Sequence, residues 1–131
     1  MIPLKVHNVF DYILGAFLLV CPLLFGFTQV MMARNFFWLA GIIWIGYSLV
    51  TRYYYSLANI IPVKVHMVLD TLLGVLLVLA PFVFGYVFVM NGVQMGLHYV
   101  LGFGLIADVI FTDKHEVVLP NKFNTPATPV V

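Results

Sequence analysis

The chain has 131 residues, 63% of them apolar and only 8% charged, with a net charge of +1 and a mean hydropathy of +1.08. This balance excludes a water-soluble globular domain, which needs a polar shell, and stretches such as 12–27, 36–50 and 71–90 carry no acidic or basic side chain at all. Near-neutrality also leaves no basic surface for nucleic acid, so membrane lipid is the expected surrounding.

At about 1.5 Å per residue, some ~20 apolar residues cross a bilayer core of ~30 Å. Four stretches satisfy this, at about 6–27, 36–55, 65–88 and 94–112, giving an all-α, four-helix transmembrane bundle. The first begins after Pro3 and Lys5 and runs through Cys21. It has the outline of a signal or lipoprotein leader, but Val20 is a poor cleavage residue, Pro22 follows, and the segment recurs far inside the chain. Cys21, the single cysteine, reads as a small packed hydrophobe. In the second helix Phe36, Phe37 and Trp38 at one end, and Tyr53, Tyr54 and Tyr55 at the other, suit two interfacial belts.

The third helix repeats the first. Residues 2–27 and 61–86 share 13 of 26 aligned positions, including Lys5/Lys64, His7/His66 and Asp11/Asp70. Pro3 and Pro62 suit helix starts, while Pro22 and Pro81 fall inside the helices, where each removes a hydrogen bond and predicts a kink, with Gly26 and Gly85 one turn later. The second and fourth helices align at an offset of 61, pairing Gly41 with Gly102 and Thr51 with Thr112. The chain therefore reads as two tandem helical hairpins inserted in parallel: residues 1–58 and 59–112, followed by a mobile cytoplasmic tail at 113–131. Lys5, Arg52, Lys64, Lys114 and Lys122 lie on one side and Arg34 on the other, which predicts an integral membrane protein of a bacterial inner membrane with both termini cytoplasmic.

On a helix of 3.6 residues per turn, His7, Asp11, Gly15, Leu18, Pro22 and Gly26 fall within about 100° of one another. Each has an identical counterpart in His66, Asp70, Gly74, Leu77, Pro81 and Gly85. Variable pairs such as Asn8/Met67 are expected on other faces. The shared stripe should face protein, with the first and third helices meeting near Gly15 and Gly74.

Ionisable residues at membrane depth point to function, and His7, Asp11, His66, Asp70 and Asp108 form the candidate polar cluster. The favoured reading is a clamp between helices and loops. The residue types also permit a proton or ion relay through Asp11, Asp70 and Asp108, a metal site, or a haem held by His7 and His66. HxxxD is a weak pattern, so neither metal nor cofactor is expected. Asp108 aligns with Tyr47, which makes the acidic set asymmetric, and His98 reads as an interfacial histidine. No nucleophile elbow, phosphate loop, CxxC or HExxH is present.

Two tandem hairpins with VHxVxDxxLG before a proline and FG after it resemble the SPW-repeat family of small bacterial integral membrane proteins. The triplets at the Ser-Pro-Trp position are Cys21-Pro22-Leu23 and Ala80-Pro81-Phe82, so only the proline persists. The resemblance implies a four-helix membrane protein with no established activity. The expected function is a non-enzymatic structural or accessory component acting through self-association or a larger membrane complex. The alternative is a minimal proton- or ion-linked transporter using the duplicated His–Asp pairs.

Overall fold

The computed structural model describes residues 1–114, so 115–131 of the expected tail lie outside the described residues. Four helices follow one another: α1 (Leu4–Leu24), α2 (Met31–Leu49), α3 (Val63–Val83) and α4 (Gly92–Phe111). α1 packs along α2 and α3 along α4, while α2 and α3 make a slighter contact. Among the described residues there is no strand, only two isolated bridges.

Those bridges join the hairpins in a ring. Ile61, just before α3, bridges Thr51 just after α2, and Ile2, just before α1, bridges Thr112 just after α4. The second junction is held by Ile2 N–H to Phe111 O at 2.7 Å and Asp113 N–H to Ile2 O at 2.9 Å. The end of each hairpin thus meets the beginning of the other, and the bonds satisfy backbone groups that helix ends would otherwise leave open.

α1, α3 and α4 are each long and apolar enough to cross a membrane. α2, expected to be equally apolar, is not among them, because Arg34 and Asn35 fall within its first five residues. It nevertheless runs alongside α1, from the Trp38 indole donating to Leu19 O at 3.0 Å to the Tyr12 hydroxyl near Ser48 O at 3.4 Å.

The shared stripe faces protein except at its last pair: His7, Asp11, Gly15, Leu18 and Pro22 are buried in α1, and His66, Asp70, Gly74, Leu77 and Pro81 in α3, whereas Gly26 and Gly85, beyond the helix ends, are exposed. Its packing partner differs from expectation. A Cβ on Gly74 would lie 2.8 Å from Gly102 O and 2.8 Å from Ile106 Cγ1, and one on Gly15 2.7 Å from Ile45 Cγ1. The glycines therefore seat each helix against its own hairpin partner and not α1 against α3. Glycine at both faces lets two backbones approach, and the hairpin partner is the helix in close register.

Pro22 and Pro81 lie inside α1 and α3 as expected, in their last turns. Gly26 and Gly85 follow with φ of 69° and 72°, the left-handed conformation that ends a helix cheaply only with glycine, and Phe27 N–H returns to Pro22 O at 2.9 Å. Two further expectations are corrected. Asn8 and Met67 are buried with the stripe. α2 ends at Leu49, so Tyr53–Tyr55 are not a belt on that helix: Leu57 N–H turns back to Leu49 O at 2.8 Å, and Ile60 and Ile61 N–H to Val50 O at 2.9 Å.

The apolar core fills the middle and far end of the bundle with Leu18, Phe37, Trp44, Leu77, Ala80 and Leu105. At that far end Gln94, second partner in the Asn91 capping box of α4, donates to Phe25 O at 2.8 Å and links the hairpins again.

Candidate functional site: a buried His–Asp centre

His7 and Asp11 occupy the first two turns of α1, and His66 and Asp70 those of α3. Spacing of four puts each pair on one face, and the ring of the two hairpins turns those faces toward each other. All four residues are fully buried. The pairs cross: His7 Nε2 lies 3.2 Å from Asp70 Oδ2 and 3.6 Å from Asp11 Oδ1, while His66 Nε2 lies 3.0 Å from Asp70 Oδ2 and 3.1 Å from Asp11 Oδ2. The sequence places a histidine beside its own aspartate. The fold places it equally beside the other repeat's.

The outer ring nitrogens have partners that sequence reasoning missed. Thr51 Oγ1 lies 2.8 Å from His66 Nδ1, and Thr112 Oγ1 lies 3.1 Å from His7 Nδ1. Each threonine already donates its one hydroxyl hydrogen four residues back, Thr51 to Tyr47 O and Thr112 to Asp108 O, both at 2.7 Å. It can only accept from the imidazole, so Nδ1 carries a proton in both histidines and Nε2 is turned to the centre. The available signal was the alignment of Thr51 with Thr112 at the helix ends.

Symmetry breaks at one position. Tyr47 donates its hydroxyl to Asp70 Oδ1 at 2.6 Å, whereas its counterpart Asp108 pairs with His7 Nδ1. Asp108 is thus brought to the centre as expected, but from outside the histidine. Its side chain is 13% exposed, against at most 1% for Asp11, Asp70 and the two imidazoles, so it is the surface-facing member.

The segment after α2 covers this end. The Tyr53 ring stands edge-on to both imidazoles, with centroids 6.0 Å from His7 and 4.6 Å from His66. Burial and the nearby Asp11 and Asp70 carboxylates push its phenol well above the ordinary tyrosine range. Tyr55 is pinned by its N–H to Asn8 Oδ1 at 3.1 Å and by its carbonyl, which accepts from Tyr12 at 2.8 Å. Lys5 lies over the Tyr55 ring at 5.7 Å.

His98 is not interfacial. It is fully buried at the other end, and its Nδ1–H donates to Leu77 O at 2.8 Å. Leu77 stands four residues before Pro81, whose missing N–H leaves that carbonyl open, so His98 supplies the donor that the proline removed.

Apolar helices long enough to span a bilayer, enclosing a buried ionisable centre, make this a helical membrane protein. The SPW repeat domain family matches residues 5–112, and the chain belongs to that family. Comparison with curated proteins and with solved structures gives no match.

Proposed function

We propose that the protein is a non-enzymatic structural or accessory component of the membrane, acting through self-association or within a larger membrane complex. The observation that carries this reading is the crossing of the His–Asp pairs: each histidine is held by an aspartate and a threonine of the other hairpin. These contacts join the two halves, and among the described residues none of the four central side chains is exposed. What remains outside is apolar, with Ile13, Leu39, Ile42, Leu72, Phe103 and Ile110 all exposed. Such faces suit lipid tails and other membrane helices.

Lys5, Arg52, Lys64 and Lys114 flank the end that holds the centre, and Arg34 stands at the other. The positive-inside rule turns the centre and both termini to the cytoplasm, in a bacterial inner membrane. The transporter alternative needs a polar path beyond the centre. Above it the core is Leu18, Trp44, Leu77 and Leu105, which favours the structural reading.

The test is reconstitution in lipid vesicles with native mass spectrometry of the same preparation. Discrete self-association or a co-purifying membrane protein, without proton or cation flux between about pH 5 and 8 where histidine titrates, is the expected result. Flux above that of empty vesicles would overturn it.

A further inference from the structure

We infer that His7, His66, Asp11 and Asp70 form a binding site for one divalent first-row metal ion, of which zinc is the natural probe. This goes beyond the structural role proposed above, which stands whether or not an ion binds.

The geometry points there first. One donor atom from each of the four residues lies within 4.8 Å of every other. For tetrahedral coordination with bonds of 2.0–2.1 Å, donor atoms sit about 3.3 Å apart. The four imidazole-to-carboxylate separations, 3.0, 3.1, 3.2 and 3.6 Å, bracket that edge. Asp70 presents Oδ2 to both histidines, while Asp11 turns one oxygen to each, so it can ligate through either oxygen or both.

Unsatisfied atoms make a second, independent observation. Both Asp11 oxygens and His66 Nε2 are buried without a hydrogen-bond partner, although His66 Nε2 has two carboxylate oxygens within 3.1 Å. Close as they are, neither oxygen completes a hydrogen bond with this ring nitrogen. A buried polar atom left so is costly, and an ion between the four atoms satisfies all of them.

Tautomer and charge agree. The threonine contacts put a proton on Nδ1 of each histidine and turn Nε2 to the centre, where an arriving ion displaces only the proton that Nε2 shares with the carboxylates and so meets the lone pair a metal ligand requires. Histidine ligands characteristically donate the other ring N–H to a carboxylate, carbonyl or water. Here Thr51 serves His66, and Thr112 with Asp108 serves His7. Tyr47 holds Asp70 Oδ1 in the same supporting way. Two carboxylates and one divalent cation sum to zero, which removes the repulsion that two aspartates incur in a dry interior. The absence of thiolate and the N2O2 donor set suit zinc or another borderline first-row ion over a soft one.

The test uses full-length protein purified in mild detergent without chelator. Wild type is expected to carry about one zinc or other first-row ion per chain, to lose it to a strong chelator, and to recover it from zinc alone. Asp11→Asn keeps the side-chain volume and should weaken zinc binding by at least ~100-fold, and Thr51→Val by roughly 10–100-fold through the freed imidazole. Cobalt(II) added to the stripped wild type should give the intense visible absorption of a tetrahedral nitrogen–oxygen site, a readout that needs no variant to fold. Wild type that stays helical and monodisperse yet takes up no zinc, manganese, iron(II) or cobalt(II) overturns the proposal. So does undiminished binding in a folded Asp11→Asn variant, or an octahedral cobalt spectrum of a surface-bound ion.

Discussion

His66 Nδ1 and Thr51 Oγ1 stand 2.8 Å apart although one belongs to the second hairpin and the other to the first, and His7 with Thr112 repeats the relation at 3.1 Å. The two contacts are not equivalent in strength of support. Asp108 also reaches His7 Nδ1, whereas the corresponding Tyr47 turns its hydroxyl to Asp70. Thr51→Val keeps the shape and leaves a buried N–H without that acceptor, which costs about 1–3 kcal/mol. Thr112→Val should cost clearly less, because Asp108 continues to accept. Thermal unfolding in detergent of the two variants side by side checks the order; equal losses would mean that Asp108 contributes nothing.

Much of this centre was legible in the duplication, since identical His and Asp spacing marked the residues and the face. Their crossing was not, because a repeat reports what each copy contains and not how the copies meet. Thr51 and Thr112 lie beyond the best-matched segment, where the offset changes from 59 to 61, and a hydroxyl at a helix end leaves no periodic signal. The end of α2 was hidden for another reason. The aromatic run through Tyr55 continues the apolar composition, and termination comes from Leu57, Ile60 and Ile61 bonding back to Leu49 and Val50. Glycine positions are visible in the sequence, but small residues mark close approach without naming the partner, so Gly15 and Gly74 alone do not tell the neighbouring helix of the same hairpin from that of the other.

The hairpin contact gives a prediction with an internal control. A Cβ on Gly102 would meet Gly74 O and Val78 Cγ2 at 2.6 Å, and the first of these is backbone, which cannot swing aside. Gly102→Ala must push α3 from α4 and should cost about 1–3 kcal/mol. Gly104, two residues on in the same helix, has nothing within 4 Å of its added Cβ. Gly104→Ala should be neutral or stabilising by up to about 1 kcal/mol, from helix propensity alone. Denaturant titrations of both variants check the contrast.

Alkaline stability should depend on Tyr53. Burial beside the aspartates raises its phenol in the folded protein above the ordinary value near ~10 that it has when unfolded. The native state therefore holds its proton where the unfolded chain has released it. The stabilisation is fully present below about pH 10 and is lost as pH rises above it. Melts across this range should show a steeper alkaline decline for wild type than for Tyr53→Phe. Parallel curves would show that Tyr53 ionises as freely in the fold as out of it.

At the far end of the bundle, Pro81 and His98 form a compensating pair that a double-mutant cycle can expose. Proline at 81 leaves Leu77 O without its helical donor, and His98 Nδ1–H fills that place at 2.8 Å from a fully buried ring. His98→Phe keeps an aromatic ring against Phe36 and Phe37 but withdraws the donor, and a buried unpaired carbonyl costs about 1–3 kcal/mol. Restoring a backbone N–H with Pro81→Ala should recover part of that loss, because the new amide can bond Leu77 O along the helix. The sum of the single effects would then exceed the effect of the double variant, a coupling of about 0.5–3 kcal/mol by the usual range for contacting residues. Simple additivity in detergent-unfolding free energies would show that the imidazole packs at this carbonyl without serving it.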